Sequence, residues 1–347
     1  MRNLKSIKSI RKNLKGKTVL VRVDFNVPIK NGKVIDDFRI KTALPTINFL
    51  LKKGAKIILI THLGEDGTES LSPVIKHFFV ISKIAKSKIT FFENIRKFPG
   101  EIKNDTTFAK KLASMGDIYV NDAFSVSHRE HASVVSVSKY LPSFAGLQLE
   151  EEVKNLSRAF NKTKHPFLFI LGGAKFSTKL PLIKKYLKLA DYVFVGGALA
   201  NYLLKAKGFD IGKSLVDEEK YDINSILNNP KLILPTDFFV KNGAIIDIGN
   251  ESVKNLALII KKSKLVLLNG PLGKYEDGGA EATKKILGLV LKSKSQIIIG
   301  GGDIVSILSK IKPKSYKPKA NLFISTGGGA TLDFLANGTL PGIKALK

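Results

Sequence analysis

Ten short runs of β-branched and apolar residues recur along the chain, with glycine or polar turns and stretches of helical spacing between many of them. The runs are 18–23 (TVLVRV), 55–61, 88–92, 117–121, 166–171 (PFLFIL), 192–195, 231–234, 264–268, 296–299 and 321–325. Most are continuously apolar rather than alternating, the pattern of strands buried on both faces. Helical patterns fall at 41–53, 71–85, 106–115, 178–189, 198–207, 251–262, 279–292 and 303–310. Strands separated by helices predict an α/β fold with parallel sheets. With 347 residues, such a chain is expected to form two domains. The stretch 145–160 (AGLQLEEEVKNLSRAF) places Leu147, Leu149, Val153, Leu156 and Phe160 at near-helical spacing, and we read it as the connecting helix.

In a parallel α/β sheet, ligands bind beyond the carboxyl ends of the strands. Four glycine turns of the second half fall there: Gly172-Gly173-Ala174-Lys175, Gly196-Gly197-Ala198, Gly300-Gly301-Gly302-Asp303 and Gly327-Gly328-Gly329-Ala330. Glycine lets backbone approach a phosphate, and the following helix N-terminus offers N–H groups and positive dipole. One such turn could be tight-turn geometry alone; four in one half point to a phosphate-rich ligand. The loop Asn269-Gly270-Pro271-Leu272-Gly273 fits the same rim. Two other patterns are set aside. GFDIGKS (208–214) is one residue short of P-loop spacing and no strand precedes it. His128-Arg129-Glu130-His131 lacks the i, i+4 histidine pair and a third ligand.

The net charge of +28 raises the question of nucleic acid. Of the 57 basic residues, however, 50 are lysines spread singly and in pairs, without a basic block or an aromatic platform. We read them as solvated surface and expect no specific nucleic-acid partner. That lysine bias gives weight to the few arginines, because guanidinium in place of lysine indicates bidentate pairing. Arg22, Arg39, Arg96 and Arg129 lie in or just beyond strand ends of the first half, in VRVDFNVP, DDFRIK, FENIRKF and VSHREHAS. They could pair with Asp24, Asp36, Asp37 and Glu93, or they could gather a small, multiply anionic substrate, with Asp24, Asn26 and His62 adding hydrogen bonds. A nucleotide in one half and a small polyanion in the other suit phosphoryl transfer with water excluded. The absence of cysteine removes disulfides, thiolate zinc sites and cysteine nucleophiles. No apolar run of ~18 residues predicts a membrane span, and MRNLKSIKSIRKNLKGK is no secretory signal. A cytoplasmic protein is expected.

At these residues the sequence resembles the phosphoglycerate kinase family. The ordered motifs VRVDFNVP, THLG, ENIR, VNDAF, HREHAS, AGLQLEEE, LGGAKFSTKL, FVGGALA, IGKSLV, ILPTD, NGPLG, GGGD and STGGGA cover essentially the whole chain. The resemblance implies reversible phosphoryl transfer from 1,3-bisphosphoglycerate to ADP, giving 3-phosphoglycerate and ATP with Mg2+, by a monomer. It implies two Rossmann-like domains joined by a hinge helix: 1–145, then the helix 146–160, then 161–333, with a tail 334–347 returning to the first domain. Asp24, Asn26, Arg39, His62, Arg96 and Arg129 would bind the phosphoglycerate, with Arg22 close by. Lys175 would sit near the transferring phosphoryl group and Lys179 near the nucleotide phosphates. Glu276 would hold the ribose, Gly301, Gly302 and Asp303 would lie beneath the phosphates, and Asp303 would face the metal. Gly173, Gly197, Asn269 and Pro271 also fall to the nucleotide, and the turn at Gly328 would meet the phosphoryl group. Arg39 and Lys175 are the expected charge-stabilising residues.

The sequence departs from the family at several points. Glu65 stands where the family usually has arginine after HLG, Ile304 replaces the threonine after GGGD, and Thr178 replaces an aspartate. The chain is shortened around 66–92 and 236–250, so that either a strand–helix unit is lost or connections are cut back. Glu65 and Ile304 also fit an alternative, a catalytically impaired relative kept for binding or structure. Arg39, Lys175, Lys179 and Asp303 favour the enzyme.

Overall fold

The computed structural model describes residues 4–311 and 320–346. By contact the chain divides into two units, residues 1–154 with 339–347, and residues 155–338.

The first unit is built on strands β1 (Thr18–Arg22), β2 (Lys56–Ile60), β3 (Ile89–Phe91), β4 (Ile118–Asn121) and β5 (Ser143–Ala145). They form one sheet in the order β3-β2-β1-β4-β5, with every neighbouring pair parallel. β1 is central, and its buried Val19 and Val21 join Phe25, Ile40, Ile47 and Phe78 in the core. Helices α1 (Phe38–Lys52), α2 (Ser72–Ser82) and α3 (Thr106–Ala113) lie between the strands in sequence. Asp105 caps α3 by accepting from Phe108 N at 2.7 Å, the usual service of an aspartate to an orphan N–H. The stretch 66–92, read as shortened, still carries α2 and β3.

Helix α4 (Leu147–Ser157) is the expected connector, and the division between units falls within it, after Lys154. Its start is held by Asp122, at the end of β4, whose Oδ1 accepts from Gln148 N at 2.9 Å and Leu149 N at 3.2 Å. Burial pushes the Asp122 carboxyl up to about 7 despite these bonds. A carboxyl raised in the folded state binds its proton more tightly there than in the unfolded chain. Its stabilisation is therefore complete below the unfolded value of 3.8 and is lost as pH rises toward 7. Asp122→Asn keeps the Oδ1 acceptor and cannot ionise. It is expected to flatten the fall in Tm between about pH 5 and pH 8; parallel wild-type and mutant melting curves across that range would contradict this.

The second unit carries β6 (Phe167–Leu171), β7 (Tyr192–Val195), β8 (Leu232–Ile233), β9 (Leu265–Asn269), β10 (Gln296–Gly300) and β11 (Leu322–Ile324). Their order is β8-β7-β6-β9-β10-β11, again parallel throughout. β6 and β9 are buried along their whole length, which explains their continuously apolar sequences. Its longer helices are α5 (Phe176–Leu189), α6 (Gly197–Ala206), α7 (Asn250–Lys262), α8 (Glu281–Lys292), α9 (Gly302–Ile311) and α10 (Gly329–Asn337).

Four elements differ from the sequence reading. Helix α10 runs on to Asn337 and the second unit to Gly338, so the returning tail begins at Thr339 rather than 334. Phe334 and Leu335 are buried, and Phe334 packs against Phe160, which holds the helix in its own unit. Two antiparallel hairpins, Ile29–Lys30 with Lys33–Val34 and Phe238–Lys241 with Ala244–Ile248, have no counterpart among the expected strands. The edge strand β5 falls where turn and helix were expected.

Candidate active site

Six sequence-selected residues of the first unit belong to loops after the carboxyl ends of β1, β2, β3 and β4 and to the start of α1. Arg39, in the first turn of α1, donates from Nη1 to Asp24 Oδ2 at 2.7 Å and to the Asn26 carbonyl at 3.1 Å. Ser125 also donates to Asp24 Oδ2. Burial pushes the Asp24 carboxyl up, but Arg39 and these hydrogen bonds outweigh it and hold the group below its ordinary value. Asn26 Oδ1 accepts from Gly64 N at 3.2 Å, tying the first loop to the second. Arg96 is buried; its Nη1 meets the carbonyls of Gly64 and Glu65, each at 2.9 Å, and Glu65 Oε2 at 2.7 Å. Its Nη2 is buried without a hydrogen-bond partner. Arg129 Nη1 lies 3.9 Å from the same Glu65 oxygen.

Arg22 plays another part. It is only 1% exposed and donates to Ser133 Oγ at 2.9 Å and to the Val23 carbonyl at 2.6 Å. Its Nη2 stands 3.4 Å from His62 Nδ1. Guanidinium has donors only, so Nδ1 must accept and the His62 proton sits on Nε2. Burial, followed by Arg22, pushes the His62 imidazole down to about 3. His62 is therefore a neutral hydrogen-bond donor at working pH. Behind Arg22, Ser133 donates to Glu101 Oε1 at 2.6 Å, and Ser133 N donates to Oε2 at 2.8 Å. Arg22, one of the four arginines read as a cluster, thus supports the site from beneath.

In the second unit, the strand-end loops enclose a cleft of about 1070 Å³ lined by Gly173, Gly197, Pro271, Tyr275, Glu276 and Asp303 among others. The rim is closed by backbone contact: a Cβ on Gly172 would meet the Pro271 carbonyl oxygen at 2.0 Å, so only glycine fits. Gly173, at φ +113, leaves room for the Lys179 amine, which donates to the Gly172 carbonyl at 2.8 Å. Burial lowers the Lys179 pKa, partly opposed by Asp303. Lys175 is exposed immediately before α5. Gly301 precedes α9, Gly302 and Asp303 begin it, and Gly328 precedes α10 with φ +53. Asn269, at the end of β9, is 1% exposed and its Nδ2 has no hydrogen-bond partner. It lies beside Gly300, whose Cβ would be 3.1 Å from it.

Two of the departures acquire a physical reading. Ile304 is buried in the core of the second unit and is not part of the cleft lining, so its apolar side chain serves packing. Thr178 Oγ1 donates to the Lys175 carbonyl at 3.1 Å within the first turn of α5. Lys213 and Lys241 line the cleft and were missed. Lys213 belongs to the GFDIGKS segment that P-loop spacing excludes; it is brought to the cleft by the bridge from Gly212 to Ala244, which no local signal reveals. Metal-binding capacity is limited. Among the described residues, no group of three or more His, Cys, Asp or Glu could cage an ion. Mg2+ ordinarily takes one or two carboxylates and completes its shell with phosphate and water oxygens, so Asp303 at the cleft fits a magnesium shared with a nucleotide. No helix among the described residues is long and apolar enough to cross a membrane.

The phosphoglycerate kinase family model matches residues 7–81 and 76–338. The break between the two matches falls inside 66–92. The chain is 38% identical over 395 aligned residues to the phosphoglycerate kinase of Dictyoglomus turgidum, with 99% of each chain covered. It is 37% identical to that of Borrelia garinii, over 99% of this chain and 100% of the relative. These aligned lengths exceed 347, so the relatives carry segments that this chain lacks. The structure of phosphoglycerate kinase from Coxiella burnetii superposes with a TM-score of 0.86 at 33% identity, covering 99% of both chains. That from Pyrococcus horikoshii gives 0.85 at 28% identity, covering 99% and 98%. The chain belongs to the phosphoglycerate kinase family, the phosphotransferases of glycolysis.

Proposed function

We propose that the first unit binds the phosphoglycerate through Asp24, Asn26, Arg39, His62, Arg96 and Arg129. The second unit binds the nucleotide through Gly173, Lys175, Lys179, Gly197, Asn269, Pro271, Glu276, Gly301, Gly302 and Asp303. The observation that carries this reading is a matched pair of orphans. In each unit a buried donor among the residues assigned to the ligand has no partner, Arg96 Nη2 in the first and Asn269 Nδ2 in the second; the Tyr186 hydroxyl, also unpartnered, packs instead against the rings of Phe167 and Phe169. Buried polar groups are otherwise nearly always satisfied, and an anionic ligand at each place would satisfy them.

The chemistry asks little of acid–base groups. In the direction of ATP use, a carboxylate oxygen of 3-phosphoglycerate attacks the γ-phosphorus, and the bond to the ADP oxygen breaks. The nucleophile is already ionised, so no base is required, in keeping with a neutral His62 that only donates a hydrogen bond. The phosphoryl group in flight spreads negative charge over its equatorial oxygens. Arg39 and Lys175 would meet that charge, and Gly328 with the start of α10 would present backbone N–H groups to it. Asp303 would hold magnesium together with the nucleotide phosphates; when bound, the ion supplies further neutralisation of phosphate charge.

The decisive assay is ATP-dependent phosphorylation of 3-phosphoglycerate coupled to NADH oxidation. Turnover no higher than that of Lys175→Ala would overturn the reading. For the nucleotide side, Lys213→Ala is expected to raise the KM for ATP by about three- to tenfold, with the KM for 3-phosphoglycerate unchanged. Equal KM values for ATP would remove Lys213 from the cleft's function.

A further inference from the structure

Every arginine of the acid-binding cluster already faces an acceptor of this chain, but the Glu65 carboxylate differs from the rest in kind. Arg96 Nη1 carries two hydrogens and faces three acceptors: the Gly64 and Glu65 carbonyls and Glu65 Oε2. The two carbonyls belong to a backbone that is fixed independently. Gly64 N is bound to Asn26, and Gly67 packs so closely on Arg96 that a Cβ there would fall 2.4 Å from its carbonyl carbon. The carboxylate is the one acceptor that can leave without moving the chain. The Glu65 side chain is 80% exposed, whereas that of Arg96 is 3% exposed. It also reaches toward Arg129, 3.9 Å away, so one carboxylate spans two of the cations assigned to the acid.

We propose that Glu65 is a tethered competitor for 3-phosphoglycerate: its carboxylate occupies the place of one anionic group of the acid on Arg96 and Arg129, and substrate must displace it. This rests on the assignment of Arg96 and Arg129 to the acid. Displacement needs only a side-chain rotation, since the loop stays pinned by the Gly64 and Glu65 carbonyls. The guanidinium then exchanges an intramolecular carboxylate for the ligand's, and Nη2 gains the partner it lacks. Glu65 thereby sets affinity for the acid while leaving the nucleotide side and the transfer step untouched. It is a specificity-determining residue, because any ligand offering only one anionic group gains less from the exchange than it must displace.

Calorimetric titration of 3-phosphoglycerate into the full chain, without nucleotide, tests this. Glu65→Gln keeps the shape and removes the charge; it is expected to bind about three- to tenfold more tightly than wild type. The KM for 3-phosphoglycerate should fall by the same factor, with kcat and the KM for ATP unchanged. Glu65→Arg should go at least as far. Equal or weaker binding by Glu65→Gln overturns the proposal. In that case, loss of binding in Arg39→Ala and Arg129→Ala would leave the acid site itself standing. Binding by neither wild type nor Glu65→Gln overturns both the proposal and the assignment beneath it.

Discussion

Arg39→Ala is expected to lower kcat for 3-phosphoglycerate phosphorylation by about 10²–10³-fold, the cost of removing one preorganised donor from developing charge. Its guanidinium is aimed by two independent contacts, the Asp24 carboxylate at 2.7 Å and the Asn26 carbonyl at 3.1 Å. Aim of this kind is what separates a transition-state contact from a merely attractive cation. Both contacts fall on Nη1. Arg39→Lys should recover only part of the loss, because an ammonium cannot reproduce two directed contacts and still reach a third. The KM for 3-phosphoglycerate should rise as well, while the KM for ATP stays within about twofold. A kcat for Arg39→Ala within about threefold of wild type would remove Arg39 from the transfer step.

Glu101→Leu is expected to destabilise the first unit by about 3–5 kcal/mol, the usual result of stranding a buried charge. Glu101 is fully buried, and burial raises its pKa although Arg22 opposes the shift. Arg22 lies 1% exposed, and its link to Glu101 runs through the Ser133 hydroxyl, which accepts from Arg22 and donates to Glu101. Glu101→Gln keeps an acceptor for that hydroxyl and should cost less, about 1–3 kcal/mol. Urea unfolding of the two variants beside wild type measures both values. A loss below about 1 kcal/mol for Glu101→Leu would mean that Arg22 finds its compensation elsewhere. The same substitution should weaken 3-phosphoglycerate binding, because Arg22 fixes the His62 tautomer.

The sheets were legible because their strands are buried on both faces. Runs such as PFLFIL read as strands once a polar stretch precedes and a glycine turn follows them, and β6 spans Phe167–Leu171 within it. The hairpin Phe238–Lys241 with Ala244–Ile248 was not legible, since Phe239 and Val240 are more than half exposed and its first strand has no buried residue to mark it. Arg22 was visible as an arginine among lysines, but its sequence context is shared by surface and buried arginines alike. Only the position of β1 between β2 and β4 puts it beneath the site. Lys213 reaches the cleft through a pairing with Ala244, 32 residues after Gly212 in the chain, and long-range pairings of that sort leave no local trace. Glu65 was conspicuous as an anion among expected cations, yet its grip on Arg96 depends on the backbone path of the loop.

The segment Thr339–Leu346 belongs to the first unit. Gly342 N donates to the Ser127 carbonyl at 2.8 Å, and a Cβ on Gly342 would fall 2.7 Å from Val134. The first unit is therefore closed by a segment translated after the whole of the second unit. The second unit has its whole sequence available before the first does. During synthesis the Ser127–Val134 surface stays uncovered for the time taken to translate some two hundred intervening residues, about 10–40 s at ordinary bacterial elongation rates. In each newly made molecule, the first unit is the later of the two to be completed.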